Sequence, residues 1–454
     1  MLNKSQKSPP PTALRSVAET NVSIIKVASE SSPRRMAVRV VSRIRGRAVP
    51  LMVMMVFVAV GMAYSLWWSP VVHGSHAWVT PGDIWSTWRA AHWVGWGALG
   101  DVYGQDTQLV TFPGIAVLLA PFAMLSSHLG LSDSIDPLFL RTPSAWLVLG
   151  PASMVLGSSC LFALDAVAEE LGASSRRRIA LCWVEATLMF QVLVIWGHPE
   201  DLLSLGLALY AFLAMARGRW TLTGCLWGAA IVVQPLVLLL FPLQFVQLPK
   251  GARLRVCVLS VLPSAVFVGT PLLSNWTQTS GVLFHQANWP NIDYPTPWIA
   301  LAPRLSSTSV GAGPGRMLAL LVAAGLGYMA WRLKPSMIGL VWLGAVALSG
   351  RCFFESVMTP FYVGPPLVAI VLASSLRPGW LRMTGASVIA LEATVLAFQH
   401  FSEWGYWLPM VALLSSGLFC AWPGRTAVGL PQVAEEVPSV GVRNDGETAP
   451  QLIG

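Results

Sequence analysis

Charge is scarce in this chain: charged residues make up 11% of its 454 positions, hydrophobic ones 54%, and the mean hydropathy is +0.61. A soluble domain carries roughly a quarter charged residues, so that class is excluded and a polytopic membrane protein is what remains. Cysteine is sparse too. The six present (Cys160, Cys182, Cys225, Cys257, Cys352, Cys420) lie in or beside apolar segments with no C-x-x-C or Cys/His spacing. That pattern marks neither a disulfide framework nor a zinc site, and reads as small core residues. Charge of either sign is thin beyond residue 48. The formal net charge of +8 comes from residues 1–48, where ten Lys and Arg, seven of them arginines from Arg15 to Arg47, face only Glu19 and Glu30. A basic balance confined to one tail excludes nucleic acid as its meaning. Residues 1–48 are expected to form a disordered cytoplasmic tail ending in a polybasic membrane-surface anchor. The apolar stretch Val49–Trp68 is too long for a signal-peptide core and lacks a small-residue cleavage site, so it is expected to stay as a first membrane helix, with no targeting peptide removed.

What the chain does contain is an asymmetric distribution of its few polar residues. Between hydrophobic spans, acidic residues, His and Trp collect on one side, and Arg and Lys on the other. Cytoplasmic loops retain Lys and Arg, which fixes a topology. The stretch 111–126 has an apolar core of only about fourteen residues and holds Pro113 and Pro121, so it is expected to be interfacial or re-entrant. Spans at 143–165, 179–196 and 202–216 then bring Arg176, Arg177, Arg178, Arg217 and Arg219 inside. Residues 220–247 are basic at both ends, which favours a hairpin bent at Gln234–Pro235 over one kinked helix. Further spans at 256–273, 315–333, 336–350, 359–376, 384–400 and 407–423 give about twelve crossings. The expected fold is an all-α polytopic membrane domain over 49–423 with interfacial helices in its outer loops. Residues 424–454, polar and mildly acidic, are expected to be a disordered cytoplasmic tail, which places both termini of this multi-pass cell-membrane protein in the cytoplasm.

This topology puts Asp83, His92, Asp101, Asp106, His198, Glu200, Asp201, His285, Asp293, Arg304, Arg351 and Glu355 on the outer face. A solvated rim explains most of them singly, but three clusters are denser than a rim requires. In the first, Asp83 opens a run in which Trp85, Trp88, His92 and Trp96 recur at helical spacing beside Arg89, as in an amphipathic interfacial helix. Such a carboxylate at a helix mouth suits a general base, although the tryptophans equally suit an aromatic belt. The second, Gly197-His198-Pro199-Glu200-Asp201, joins an imidazole to two carboxylates; a helix start alone would account for Pro199 and the two acids. Its spacing leaves a divalent metal open without indicating one. The third, 284–298, interleaves His285, Asn288, Asn291, Asp293 and Tyr294 with Trp289 and Trp298. Aromatic faces pack on sugar C–H surfaces while such polar groups meet hydroxyls, and a simple covering loop would look similar. His285, Arg304 and Arg351 are candidates to meet a phosphate. Asn275-Trp276-Thr277 matches a glycosylation acceptor and is read as incidental.

In their order along the chain these motifs resemble the GT-C membrane glycosyltransferases, and most closely the actinobacterial polyprenol-phosphate-mannose-dependent mannosyltransferases. The resemblance spans roughly 50–420. It rests on the early Asp83, the aromatic helix after it, Gly100-Asp101-Val102-Tyr103, and Thr111-Phe112-Pro113 leading into a Pro-broken segment. It continues through Gly197-His198-Pro199-Glu200-Asp201, Arg217-Gly218-Arg219, Gly224, Gly228 and Gln234-Pro235. Two positions depart from the family pattern: His198 stands where Gln is common, and Gln234 where Lys is common; both departures bear on the identity of the donor. The resemblance implies an inverting transfer from a polyprenyl-phosphate sugar, with mannose favoured, to a glycolipid or glycan acceptor at the outer face. Asp83 is then the catalytic base. The implied substrate-binding set is Trp85, Arg89, His198, Glu200, Asp201, His285, Asp293, Tyr294, Arg304, Arg351 and Glu355. Donor, acceptor and membrane lipids are the expected partners, and no cofactor is assigned. The alternatives are a multi-pass transporter or flippase of a lipid-linked or small polar substrate, for which repeat symmetry and mid-membrane charge are expected, and a non-catalytic scaffold, which would not need the ordered acidic and aromatic outer loop but as a degenerate transferase could retain it.

Overall fold

The computed structural model describes residues 47–68, 77–104, 107, 109–133, 142–245, 248–284, 286–291, 293–399 and 401–428. The expected tails at 1–46 and from 429 onward, together with Asp106 and His285, lie outside the described residues. Helices dominate. Among the described residues six are long and apolar enough to cross a membrane: α1 (Ala48–Trp68, closing in a π turn), α4 (Trp146–Glu170), α5 (Ser175–Trp196), α6 (Pro199–Ala216), α9 (Gly315–Leu333) and α10 (Met337–Phe354). Between them lie α2 (Ile84–Gly95), α3 (Gly114–His128), α7 (Trp220–Val233) and α8 (Lys250–Phe267). α11 (Gly364–Ser375), α12 (Trp380–Leu396) and α13 (Glu403–Cys420) complete the bundle. The remaining apolar helices are shorter or carry charge at an end: α7 is 14 residues long and stops where Gln234 becomes extended, α8 opens on Lys250, Arg253 and Arg255, and α12 has 17 residues.

Burial sorts the helices. α6 is the centre, 78% buried in its apolar window, whereas α1 and α9 are 28% and 22% buried and lie at the rim with broad apolar faces outward. Small residues let the central helices approach, as expected where lipid provides no hydrophobic drive between helices. A Cβ on Gly206 would sit 3.0 Å from the Cys160 backbone, and one on Gly157 would strike Leu193.

The segment 220–267 doubles back, as the hairpin reading expects. Gly224 faces Val256 and Leu259, while Gly228 faces Leu259 and Pro263, so α7 and α8 run parallel. The chain between them must therefore return. It reverses at Gln234 and descends through the 3-10 turn Pro235–Leu239, which brings the Phe241 ring edge-on to Trp227 at 5.5 Å. α3, the Pro-broken segment, has both ends at one end of the bundle. Gly114 abuts the Val232 carbonyl, and beyond the C-terminal turn Ala145 N–H, at the start of α4, bonds Ser132 O. That geometry fits a helix lying across the bundle end.

The opposite end holds the arginines. Asp165 on α4 is ion-paired with Arg47 and Arg178, Glu169 with the same two, and Glu170 with Arg217. Arg377 and Arg382 bond the Pro423 and Trp422 carbonyls. Arg47 is fastened to the bundle, and the short helix Arg425–Val428 is docked, with the Ser336 N–H and hydroxyl both donating to Ala427 O. Among the described residues a single two-residue strand pair, Tyr294–Pro295 with Val357–Met358, interrupts the all-helical pattern and ties the loop before α9 to the segment after α10.

Candidate functional site

The site forms where α5 ends, α6 begins and the α2 mouth folds over both. α5 finishes in a π turn, Gln191–Trp196, and the chain turns out through Gly197 at φ +77°. Only glycine suits this place: the left-handed backbone disfavours a side chain, and a Cβ would lie 2.7 Å from Pro81 and 3.0 Å from Ile84. The close approach it permits brings Asp83 against His198. Pro199 then fixes the first turn of α6, and Glu200 and Asp201 enter buried at the positive helix end.

His198 lies between two carboxylates. Its Nε2 is 3.0 Å from Asp83 Oδ2 and its Nδ1 is 2.7 Å from Glu200 Oε1. With a carboxylate at each nitrogen, both must carry hydrogens to bond, which is the imidazolium form. Burial pulls the His198 pKa down, but the Glu200 charge and the hydrogen bonds to Asp83 and Glu200 outweigh it and hold the ring well above its ordinary value. Phe361 stacks on this cation at 3.7 Å with the planes 20° apart. Gln191, itself buried, donates to Pro360 O and so holds the Phe361 turn in place.

The two buried acids differ in partners. Asp201 Oδ1 accepts from Gln234 Nε2 at 2.8 Å, and Gln234 Oε1 in turn accepts from Thr111 Oγ1 at 3.2 Å. Glu200 Oε2 and Asp201 Oδ2 are buried with no hydrogen-bond partner. Leaving such an acceptor unpaired costs about 1–3 kcal/mol, so two of them side by side point to a place where something else completes the bonding. Asp83 is the accessible member, its side chain 53% exposed.

The outer loop covers the cluster from the other side. Thr296 Oγ1 donates to Glu355 O at 2.6 Å, Trp298 Nε1 to Phe353 O at 2.7 Å, and Tyr294 stacks on Tyr406 at 4.5 Å. Thus anchored, Asp293 faces Asp83 and His198. Burial chiefly, then the Asp83 charge, pushes its carboxyl up to about 7, with His198 opposing. Glu355 is fully buried between Arg316 Nε at 3.2 Å and Arg351 Nε at 3.4 Å. Arg351 lies over the Tyr362 ring at 3.9 Å and close enough to Asp201 for their charges to interact; Arg316 also donates to Gln286 and keeps a buried Nη2 without a partner.

Of the residues singled out in the sequence, Asp83, His198, Glu200, Asp201, Asp293, Arg351 and Glu355 converge on this end of the bundle. Tyr294 anchors the loop. Trp85 is 3% exposed and turned into the packing toward Trp146, with its Nε1 donating to Thr80 Oγ1. Arg89 points to the far face of α2, where it lines a separate cavity. Arg304 lies exposed in an isolated bridge with Val310, and no hydrogen bond or ion pair joins it to the cluster among the described residues. Phe361, Tyr362, Arg316 and Thr111 escaped the reading. Arg316 was detectable as the charge at the head of the apolar stretch 315–333; the aromatic pair has no sequence signal beyond its prolines. Among the described residues no group of three or more His, Cys, Asp or Glu side chains is arranged to hold a metal ion. No family model matches the chain, and no curated protein matches it.

Proposed function

We propose that this protein is a membrane glycosyltransferase of the GT-C kind that transfers a sugar, mannose by the resemblance, from a polyprenyl-phosphate donor to a glycolipid or glycan at the outer face. The observation that carries the reading is the Asp83–His198–Glu200 chain: an exposed carboxylate fixed by a part-buried imidazolium that a second, buried carboxylate holds. In this reading the termini and the arginine end are cytoplasmic, and the shorter apolar helices complete about twelve crossings.

The chemistry follows from the bonding. Asp83 Oδ2 is taken by His198, which leaves Oδ1 to accept the proton of an acceptor hydroxyl. As that proton leaves, the hydroxyl oxygen bonds the anomeric carbon, the bond from that carbon to the phosphate oxygen breaks, and polyprenyl phosphate departs with the bonding pair. Configuration inverts and no enzyme-bound sugar forms. Arg351 and Arg316 are the guanidinium groups offered to the departing phosphate, and Asp201 and Asp293 are acceptors for sugar hydroxyls.

The test is transfer of radiolabelled mannose from polyprenyl phosphate-mannose to lipid acceptors in membranes holding equal amounts of the wild type or Asp83→Asn. Transfer by the wild type that the variant loses supports the reading. Equal transfer by both removes Asp83 from the mechanism, and no transfer by either removes this donor.

A further inference from the structure

A cavity of about 300 Å³ opens between α2 and α3, with His92, Trp93, Trp96, Ser127 and Asp133 in its wall. Gly95 seats the end of α2 on α3, since a Cβ there would meet Met124 Sδ at 2.6 Å, and this leaves Trp96 at the rim, 61% exposed. His92, tilted by 40°, and Trp93, edge-on, each lie 5.8 Å from the Trp96 ring and hold it in place. Arg89 is engaged by its own helix, donating Nε to Trp85 O at 3.4 Å. The polar groups form a short chain. His92 Nδ1 is 3.3 Å from Ser127 Oγ, whereas its Nε2 is 4.0 Å from Asp133 Oδ2, beyond hydrogen-bonding length. Burial lowers the His92 pKa against the opposing pull of Asp133, so the ring is neutral at neutral pH. With Ser127 donating to Nδ1, the hydrogen sits on Nε2 and is separated from the half-exposed Asp133 carboxylate by a gap that a hydroxyl, both donor and acceptor, would bridge. The face of α3 opposite Ser127 carries Leu118, Phe122, Leu125 and Leu129, 37–60% exposed; with that stripe toward lipid, the cavity opens toward water.

We infer that this cavity is a carbohydrate subsite that holds a sugar residue of the acceptor away from its reacting end, so that the acceptor is an oligosaccharide chain and not a single sugar. The role rests on the glycosyltransferase reading; the recognition chemistry does not. An exposed indole packs on the C–H face of a sugar ring, and a sugar hydroxyl accepts from His92 Nε2–H while donating to Asp133. An anion would meet the Asp133 carboxylate, and a lipid chain would find its apolar surface on the other face of α3. α2 sets the separation from the proposed base: its 12 residues rise by roughly 18 Å between Asp83 at one end and Trp96 at the other, a span of several sugar units. Binding of the non-reacting part of the chain at Trp96 would then help to fix its reacting end at Asp83.

The test is calorimetric titration of the purified full chain in detergent with mannohexaose, no donor being present. The wild type is expected to bind, and Trp96→Ala and Asp133→Ala each to bind about tenfold more weakly. Trp96→Phe, which keeps an aromatic face, should recover most of the loss. Both positions are at least half exposed, so the unfolding temperature of each variant should match that of the wild type. No binding by the wild type, or unchanged binding in either alanine variant, would overturn the subsite. The transfer assay then separates the two readings: Trp96→Ala should raise the KM for mannohexaose as acceptor and leave that for methyl mannoside unchanged, and an equal rise for both overturns the placement away from the reacting end. Binding without any transfer would remove the glycosyltransferase reading and the acceptor role with it, while the carbohydrate site itself would stand.

Discussion

At the arginine end of the bundle Asp165 is as buried as any side chain in the molecule, yet each of its oxygens faces a guanidinium, Arg47 on one and Arg178 on both. At the other end Glu200 and Asp201 are equally buried, share one imidazole and one amide, and retain an unpartnered oxygen each. Opposite ends of the bundle thus hold carboxylates in two states of completion. A closed network of charges holds helices together, and removing one member leaves uncompensated charge. An incompletely bonded one stores a cost that a bound polar ligand would relieve. The contrast teaches where to look for chemistry: burial alone marks both ends, and only the balance of partners separates a fastening from a site.

The contrast is broken most directly by exchanging its consequences. Asp165→Ala, which strands Arg47 and Arg178, should cost about 3–5 kcal/mol of stability, read as a large loss of thermal unfolding temperature in detergent. Asp83→Asn should leave that temperature unchanged while lowering transfer by at least about 10²-fold. If both variants lose stability alike, the two ends are not different in kind. Gly197→Ala comes next: strain at positive φ and the collision with Pro81 should cost about 1–2 kcal/mol and push Asp83 off His198, so transfer falls further than unfolding temperature. A pH series sharpens the comparison. The Asp293 carboxyl is raised from 3.8 to about 7, so its contribution to stability is complete below about 4 and is lost as pH rises through about 7. Asp293→Asn should therefore flatten the fall in unfolding temperature over that window, and a fall that persists assigns it to another group. Smallest is Phe361→Leu, which removes the ring from the His198 cation and should cost about 0.5–2 kcal/mol in stability at neutral pH, less once alkaline pH has discharged the imidazole.

Much of the site was legible because its residues are polar in an otherwise apolar chain. Asp83, His198, Glu200 and Asp201 stand out by type, and a reversal at Gln234 followed from basic residues on both sides of one apolar stretch. What was not legible has the opposite origin. Trp85 and Arg89 sit four residues apart in the same motif as Asp83, but on a helix that motif covers several faces, and only packing against α4 and α3 decides which face meets the site. Hydropathy likewise records apolar residues and not where Pro235 or a run of basic residues ends the helical ladder.

Composition and charge pattern by themselves determined an all-helical chain with apolar helices fit for a membrane, because backbone groups in lipid must bond within their own helix and charge there is costly. Which charges become a fastening and which become a site was decided only by tertiary structure. Pairing between residues more than a hundred positions apart, Asp83 with His198 or Arg47 with Asp165, depends on helix ends that meet in space, and sequence distance carries no record of that meeting.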